Sequence, residues 1–332
     1  MSTSRRLMLA NLASVAIAAL ASAPLAHAQA PAYPSRPLRI IVPFSAGTSA
    51  DIFARMVAQR LQDALGQSVV VDNRAGANGV IGIDALAKAA PDGYTIGLGS
   101  NGTQTINVNL YTRLPYDPIR DFAPITYAYG QAFMLLAPAA IAPANLKDYV
   151  AAMRTSPGAK TMGYTATGAQ LASEFFRMST QLPITLVAYK SSANAATDLI
   201  GGHIDLRMDS FAGGQAAIKG GRVRALAVTT HERSALLPNV PTVAESGYPG
   251  FEASGWVGFF APAGTPADIV QRLNSEIAKA FAHPETRAQL VAAGIEPKGS
   301  TPEALQAMVR DDIAKWAKVF REAKIPRADS YE

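Results

Sequence analysis

No cysteine occurs in the 332 residues. That excludes disulfides and any lipid anchor attached through a thiol, so stability must come from an ordinary core. Histidine is nearly as scarce. There are four, and His203, His231 and His283 stand in no ligand-like spacing, so neither a metal site nor a cofactor is expected. Charged residues make up only 17% of the chain, with no run of Lys and Arg and no aromatic-basic interleaving. Nucleic acid is thereby excluded as a partner. No G-x-S-x-G elbow is present, so Ser45, Ser49 and Ser100 have no base beside them and catalysis is not supported. Asp51 and Asp209 could form a carboxylate pair, but capping or hydrogen bonding suits each better. Tyr189-Lys190 resembles half of a Y-x-x-x-K dyad only superficially. Trp256 and Trp316 read as core or hinge packing.

What is present is apolar. Hydrophobic residues reach 49%, as in a well-packed globular protein, and the length favours two domains. Residues 1–28 read as a secretory leader: Arg5-Arg6, an apolar stretch from Leu7 to Leu25, and Ala26-His27-Ala28 before cleavage. An uncleaved anchor is the rival, disfavoured by Asn11, Ser14, Ser22 and Pro24 within the stretch. Removing Arg5 and Arg6 lowers the net charge from +5 to about +3. The expected product is a free soluble protein outside the cytoplasm.

The mature chain is organised around residues 38–65. Leu38 to Val42 is a short buried strand, Pro43 stops it, and small or polar residues run from Ser45 to Asp51. Phe53, Val57, Leu61 and Leu65 then return at helical spacing, and Gly66 is a helix stop. A strand feeding a small-residue loop that opens a helix offers backbone N–H groups and a positive dipole end to an anion. The simpler reading is that Ser49 or Asp51 only caps the helix.

The pattern repeats through strands at Val69 to Val71 and Tyr94 to Leu98, which argues for a parallel α/β sheet. The loops at 44–49 and 99–103 come after strands, where such sheets bind ligands. Gly97-Leu98-Gly99-Ser100-Asn101-Gly102 matches the dinucleotide fingerprint in letters only. Its first glycine lies inside the strand, and Pro115 and Pro118 interrupt the segment where a long helix is required. Composition resets at Pro138 to Pro143 and a second α/β series begins, with a loop at Thr165 to Ala169, a strand at Ile204 to Met208 and a helix at Gln215 to Lys219. Three helices without strands between them end the chain and should cover the first sheet. The expected domains are one lobe from residues 29–128 and 254–332 and a second from 129–253. Two extended crossings, near 122–136 and 250–260, make a hinge and a cleft.

Several motifs then carry a resemblance. They are Tyr33-Pro34-Ser35-Arg36-Pro37-Leu38-Arg39, Val42-Pro43-Phe44 through Asp51, Asn73-Arg74-Ala75-Gly76 and Ala90-Pro91-Asp92-Gly93-Tyr94. Leu114-Pro115-Tyr116-Asp117-Pro118, Asp121-Phe122-Ala123-Pro124, the run from Gly221 to Thr229 and Pro238-Asn239-Val240-Pro241-Thr242 through Glu245 extend it over almost the whole mature chain. On these the chain resembles the Bug family, periplasmic receptors of tripartite tricarboxylate transporters. The resemblance implies an α/β, two-lobed, type II-like venus-flytrap fold with two interlobe crossings. It implies a small organic acid in the cleft, whether mono-, di- or tricarboxylate or aromatic, and integral-membrane transporter subunits as partners. Departures fall on cleft loops: Gly47-Thr48 for the family's Gly-Gly, Thr165 to Ala169 for a loop richer in Gly and Asn, and Tyr189-Lys190-Ser191 for Tyr-Lys-Gly.

The expected contacts are Phe44, Ser45, Ala46, Gly47, Thr48, Ser49 and Asp51, with Ser100, Asn101, Gly102 and Thr103 beside them. The second lobe adds Thr165, Ala166, Thr167, Gly168, Ala169, Tyr189, Ser191, Ala193 and Asp209. A sensor docking a membrane kinase and a secreted hydrolase are the competing functions.

Overall fold

The computed structural model describes residues 33–331 apart from 141, 142, 144, 157, 159, 166 and 294; the expected leader lies outside them. β1 (Leu38–Val42) opens the fold as a short apolar run whose Ile40 and Val42 are fully buried. Pro43 has no N–H with which to extend the ladder, and the chain turns. In α1 (Ser49–Leu65), Phe53, Val57 and Leu61 form the buried face. Thr48, not Ser49 or Asp51, is the N-cap: its Oγ1 accepts the Asp51 N–H at 3.4 Å. Gly66 closes the helix at φ +66°, which glycine adopts without a Cβ penalty.

β2 (Val69–Asn73), α2 (Val80–Ala87) and β3 (Thr95–Ser100) continue the series. After β3 the chain winds through a π-helical turn, Gly102–Ile106, into the short α3 (Asn107–Leu110), not the long helix that a dinucleotide site needs. Gly97 and Gly99 serve packing: a Cβ on either would stand 2.8 Å from a neighbouring side chain. β4 (Phe122–Gln131) then passes through Ala132 into β5 (Phe133–Pro138). The second series is α4 (Leu146–Thr155), β6 (Lys160–Tyr164), α5 (Thr167–Thr180), β7 (Ile184–Ala188), α6 (Ser192–Ile200), β8 (Leu206–Ser210), α7 (Phe211–Lys219) and β9 (Val223–Val228). β10 (Gly255–Pro262), α8 (Ala267–Ala282), α9 (Pro284–Ala292), the two-residue β11 (Glu296–Pro297) and α10 (Pro302–Glu322) complete the chain.

α7 begins at Phe211 and not at the expected Gln215. Gly213-Gly214 conceals a first turn that Ser210 caps, its Oγ accepting the Gly213 N–H at 3.3 Å.

Among the described residues, eleven strands divide between two sheets, ordered β11-β4-β10-β3-β1-β2 and β7-β6-β8-β5-β9. Both are mixed, where alternating strands and helices predict parallel ones. β1 runs parallel to β2 and β3, and β6 to β7 and β8. β4 and β10 pair antiparallel, because one carries the chain out of the first sheet and the other brings it back. β5, which continues β4, is antiparallel to β8 and β9 for the same reason. The architecture is thus the two-lobed α/β periplasmic-binding fold.

The last helix serves both sheets. Leu305 and Val309 of α10 pack with Trp256 and Phe260, whereas Trp316, Val319 and Phe320 join the core of Phe176, Leu182 and Met208 under the second sheet. The expectation that the final helices cover only the first sheet therefore fits the start of α10 but not its end. Midway, Trp256 Nε1 donates to the buried Asp312 carboxylate at 2.6 Å. The return segment 229–254 is tied to the first sheet as well: Glu296 accepts Ser234 Oγ at 2.6 Å and the Leu236 N–H at 3.2 Å.

α2 lies close against the loop after β1. A Cβ on Gly82 would meet Arg74 O at 2.7 Å and Pro43 Cα at 2.8 Å, both backbone atoms that cannot step aside cheaply. Gly82→Ala is expected to cost about 1–3 kcal/mol of stability through overpacking, read as a lower urea midpoint. An unchanged midpoint would mean that helix and loop separate freely.

Candidate functional site

The strands β1, β3, β6 and β8 each end in a helix start, and these starts meet at one cavity of about 640 Å³. From the first sheet come Ser49 and Ala50 of α1 and Gly102 of the π-helical turn. From the second come Gly168 and Ala169 of α5, Ser192 of α6 and Ser210, the cap of α7. Tyr129 and Gln131 of β4, Phe133 of β5 and Gly255, Trp256 and Val257 of β10 form its back. The unbonded N–H groups of a helix's first turn and its dipole favour an anion. Among the described residues, Asp209 is the only charged side chain in the wall.

Most of the expected residues meet here. Phe44, Ser45, Thr48, Ser49, Ser100, Asn101 and Gly102 line the cavity on one side, with Thr165, Gly168, Ala169 and Asp209 on the other. Ala46 and Gly47 stand outside the wall. Ala166 lies outside the described residues, and Thr167 begins α5.

Other expected residues hold the wall from behind. Asp51 is 3% exposed. One of its oxygens accepts the Gly47 N–H at 2.9 Å; the other accepts Asn73 Nδ2 at 2.9 Å and pairs with Arg55 at 2.9 Å. The Arg55 hydrogen bond holds its pKa below the usual carboxylate range, outweighing the burial that would raise it. Thr103 is buried in a reciprocal pair with Ser100: Ser100 N–H donates to Thr103 Oγ1 at 2.9 Å, and Thr103 N–H to Ser100 Oγ at 3.2 Å. Tyr189 turns away from the cavity. Its hydroxyl donates to Asp198 at 2.7 Å, and burial pushes its pKa up to about 12. Ser191 caps α6, its Oγ accepting the Asn194 N–H at 3.2 Å, and Ala193 lies in that helix's first turn, outside the wall.

Residues outside the expected contacts also enter the wall: Ala75, Gly76, Asn78 and Gly79 after β2, Asn107 of α3, and Ser192. The first group stands in a glycine-rich loop beside β1's own loop, so its position after a parallel strand was the available signal.

A family model described as the tripartite tricarboxylate transporter family receptor matches residues 53–325. Protein BugT of Bordetella pertussis is 38% identical over 300 residues, 90% of this chain and 92% of that protein. Among solved structures, an R. palustris protein with adipate superposes with a TM-score of 0.71 at 34% identity, covering 89% of this chain and 100% of that one. MatC from Rhodopseudomonas palustris with bound malate gives a TM-score of 0.67 at 29% identity, covering 86% and 99%.

The Asp51 cluster has a pH signature. A carboxyl whose pKa is lowered by folding stabilises the fold fully above its unfolded pKa, and loses that contribution as pH falls through the folded one. The melting temperature of Asp51→Asn should therefore fall furthest below wild type near neutral pH, and the gap should narrow on acidification. A gap that widens in acid would contradict the assigned role.

Proposed function

The chain belongs to the Bug family, the receptors of tripartite tricarboxylate transporters, and from that premise we propose that it is an exported receptor which binds a small organic carboxylate in the cleft and delivers it to a membrane transporter of that type. The observation that carries this reading is the convergence of helix starts from both sheets on one cavity whose wall holds no Lys or Arg among the described residues. A carboxylate there would meet backbone N–H groups, small hydroxyl side chains and water at the loops 44–49 and 100–102. Adipate and malate in the two solved relatives support a carboxylate as the ligand class. The Arg5-Arg6 leader ending at Ala28 supports export to the periplasm, with the mature chain beginning at Gln29.

A ligand that touches both lobes favours the closed arrangement only through that differential contact. Capture by dipoles and short hydrogen bonds should also feel salt far less than an exposed ion pair. Calorimetry with a panel of mono-, di-, tri- and aromatic carboxylates should identify at least one that binds, with affinity changing less than about threefold between low and high salt. A large loss of affinity with salt would rule out backbone capture. A panel in which no acid binds would overturn the receptor reading.

A further inference from the structure

Among the described residues, Asp209 is the one acidic group in the wall of this cavity, and a bare carboxylate there would repel an anion. It is 3% exposed and surrounded by donors. The Ser210 N–H donates to Oδ1 at 2.7 Å, and Ser192 Oγ donates to Oδ2 at 2.7 Å. The hydroxyls of Thr165 and Ser210 stand 3.5 Å from Oδ1, at the limit of a hydrogen bond. The Arg207 guanidinium, itself fully buried, contacts Oδ2 directly and donates to Gly213 O at 3.2 Å, while its Nε and Nη1 have no hydrogen-bond partner. Gly213 keeps the carboxylate in place: a Cβ there would lie 2.5 Å from Oδ1.

The Arg207–Asp209 pair is neutral as a whole, so the acid does not cancel the attraction of the helix starts for an anion. An ionised carboxylate only accepts, so the single proton of the Ser192 hydroxyl is committed to Asp209. What Ser192 has left for the cavity is its lone pairs. Helix starts on both walls present first-turn N–H groups, and the Ser192 oxygen adds an acceptor on its own wall.

We propose that Ser192 is a specificity-determining hydrogen-bond acceptor, and that the cleft selects acids bearing a hydroxyl or ammonium donor opposite the carboxylate over acids of equal length without one. This rests on the carboxylate-receptor reading and adds the polarity of the far wall. A hydroxyl or amine that meets Ser192 gains one hydrogen bond, whereas a bare methylene leaves that acceptor dry.

The test compares matched probes by calorimetry: succinate with malate, glutarate with 2-hydroxyglutarate, and adipate with 2-aminoadipate. Wild type should bind the donor-bearing member of at least one pair about tenfold more tightly. Ser192→Ala should shrink that ratio to within about twofold, because only the donor-bearing acid loses a hydrogen bond to the Ser192 oxygen. The helix cap survives this substitution, because Ser191 and not Ser192 caps α6. Equal binding within every pair, or a Ser192→Ala variant that weakens both members alike, would overturn the acceptor assignment while leaving the receptor reading intact. Binding of none of the six acids would overturn the inference together with its premise for acids of this size.

Discussion

The antiparallel pairing of β4 with β10 is the constraint on which the molecule depends. These two strands carry the chain between sheets, and their register, from Gln131 opposite Gly255 to Phe122 opposite Pro262, fixes how the sheets meet. The same strands supply the back of the cavity through Tyr129, Gln131, Gly255 and Trp256. The crossing strands and the back of the cavity are therefore one object. The connection is close enough that the residues from Arg36 onward form one compact unit despite having two sheets.

Each side of the cleft uses a buried carboxylate to hold its loops, and each carboxylate has its own arginine. Asp51 fastens the loop before α1 to Asn73 of β2 and pairs with Arg55. Asp209 gathers Ser192 and Ser210 from two helix starts and pairs with Arg207. The two acids thus supply rigid acceptors without leaving the cleft negative. A buried ion pair is weak evidence for stability, since desolvation offsets much of the attraction. Here its service is geometric: the Asp51 pair holds a loop against β2, and the Asp209 pair sets which way the Ser192 hydroxyl proton points.

How much of this the sequence reveals depends on whether the signal is local. The unit from Leu38 to Gly66 is legible because an apolar run, a proline, a small-residue loop and a terminal glycine act within one stretch. Thr48 as cap was less so, because Ser45, Thr48, Ser49 and Asp51 are all plausible caps and only backbone geometry chooses. The loop at 75–79 was visible as glycine-rich, but its place in the wall depends on β2 lying beside β1. Ser191 was the expected contact, yet it caps a helix, and its neighbour Ser192 faces the cavity. Arg207 left no usable trace, since an arginine in a strand normally points to water. The mixed sheets also escaped the pattern, because strand direction is set by the crossings and not by hydrophobic spacing.

α10 gives the two sheets a mechanical relation that crossing strands alone would not. About 30 Å of helix is clamped at one end by Leu305 and Val309 and at the other by Trp316, Val319 and Phe320. Pulling the sheets straight apart would drag three large side chains out of a core, each at a cost of several kcal/mol, on the order of a core truncation. The chain's final helix is in this sense a strut between the two sheets, fastened at mid-length to β10 by the Trp256–Asp312 bond.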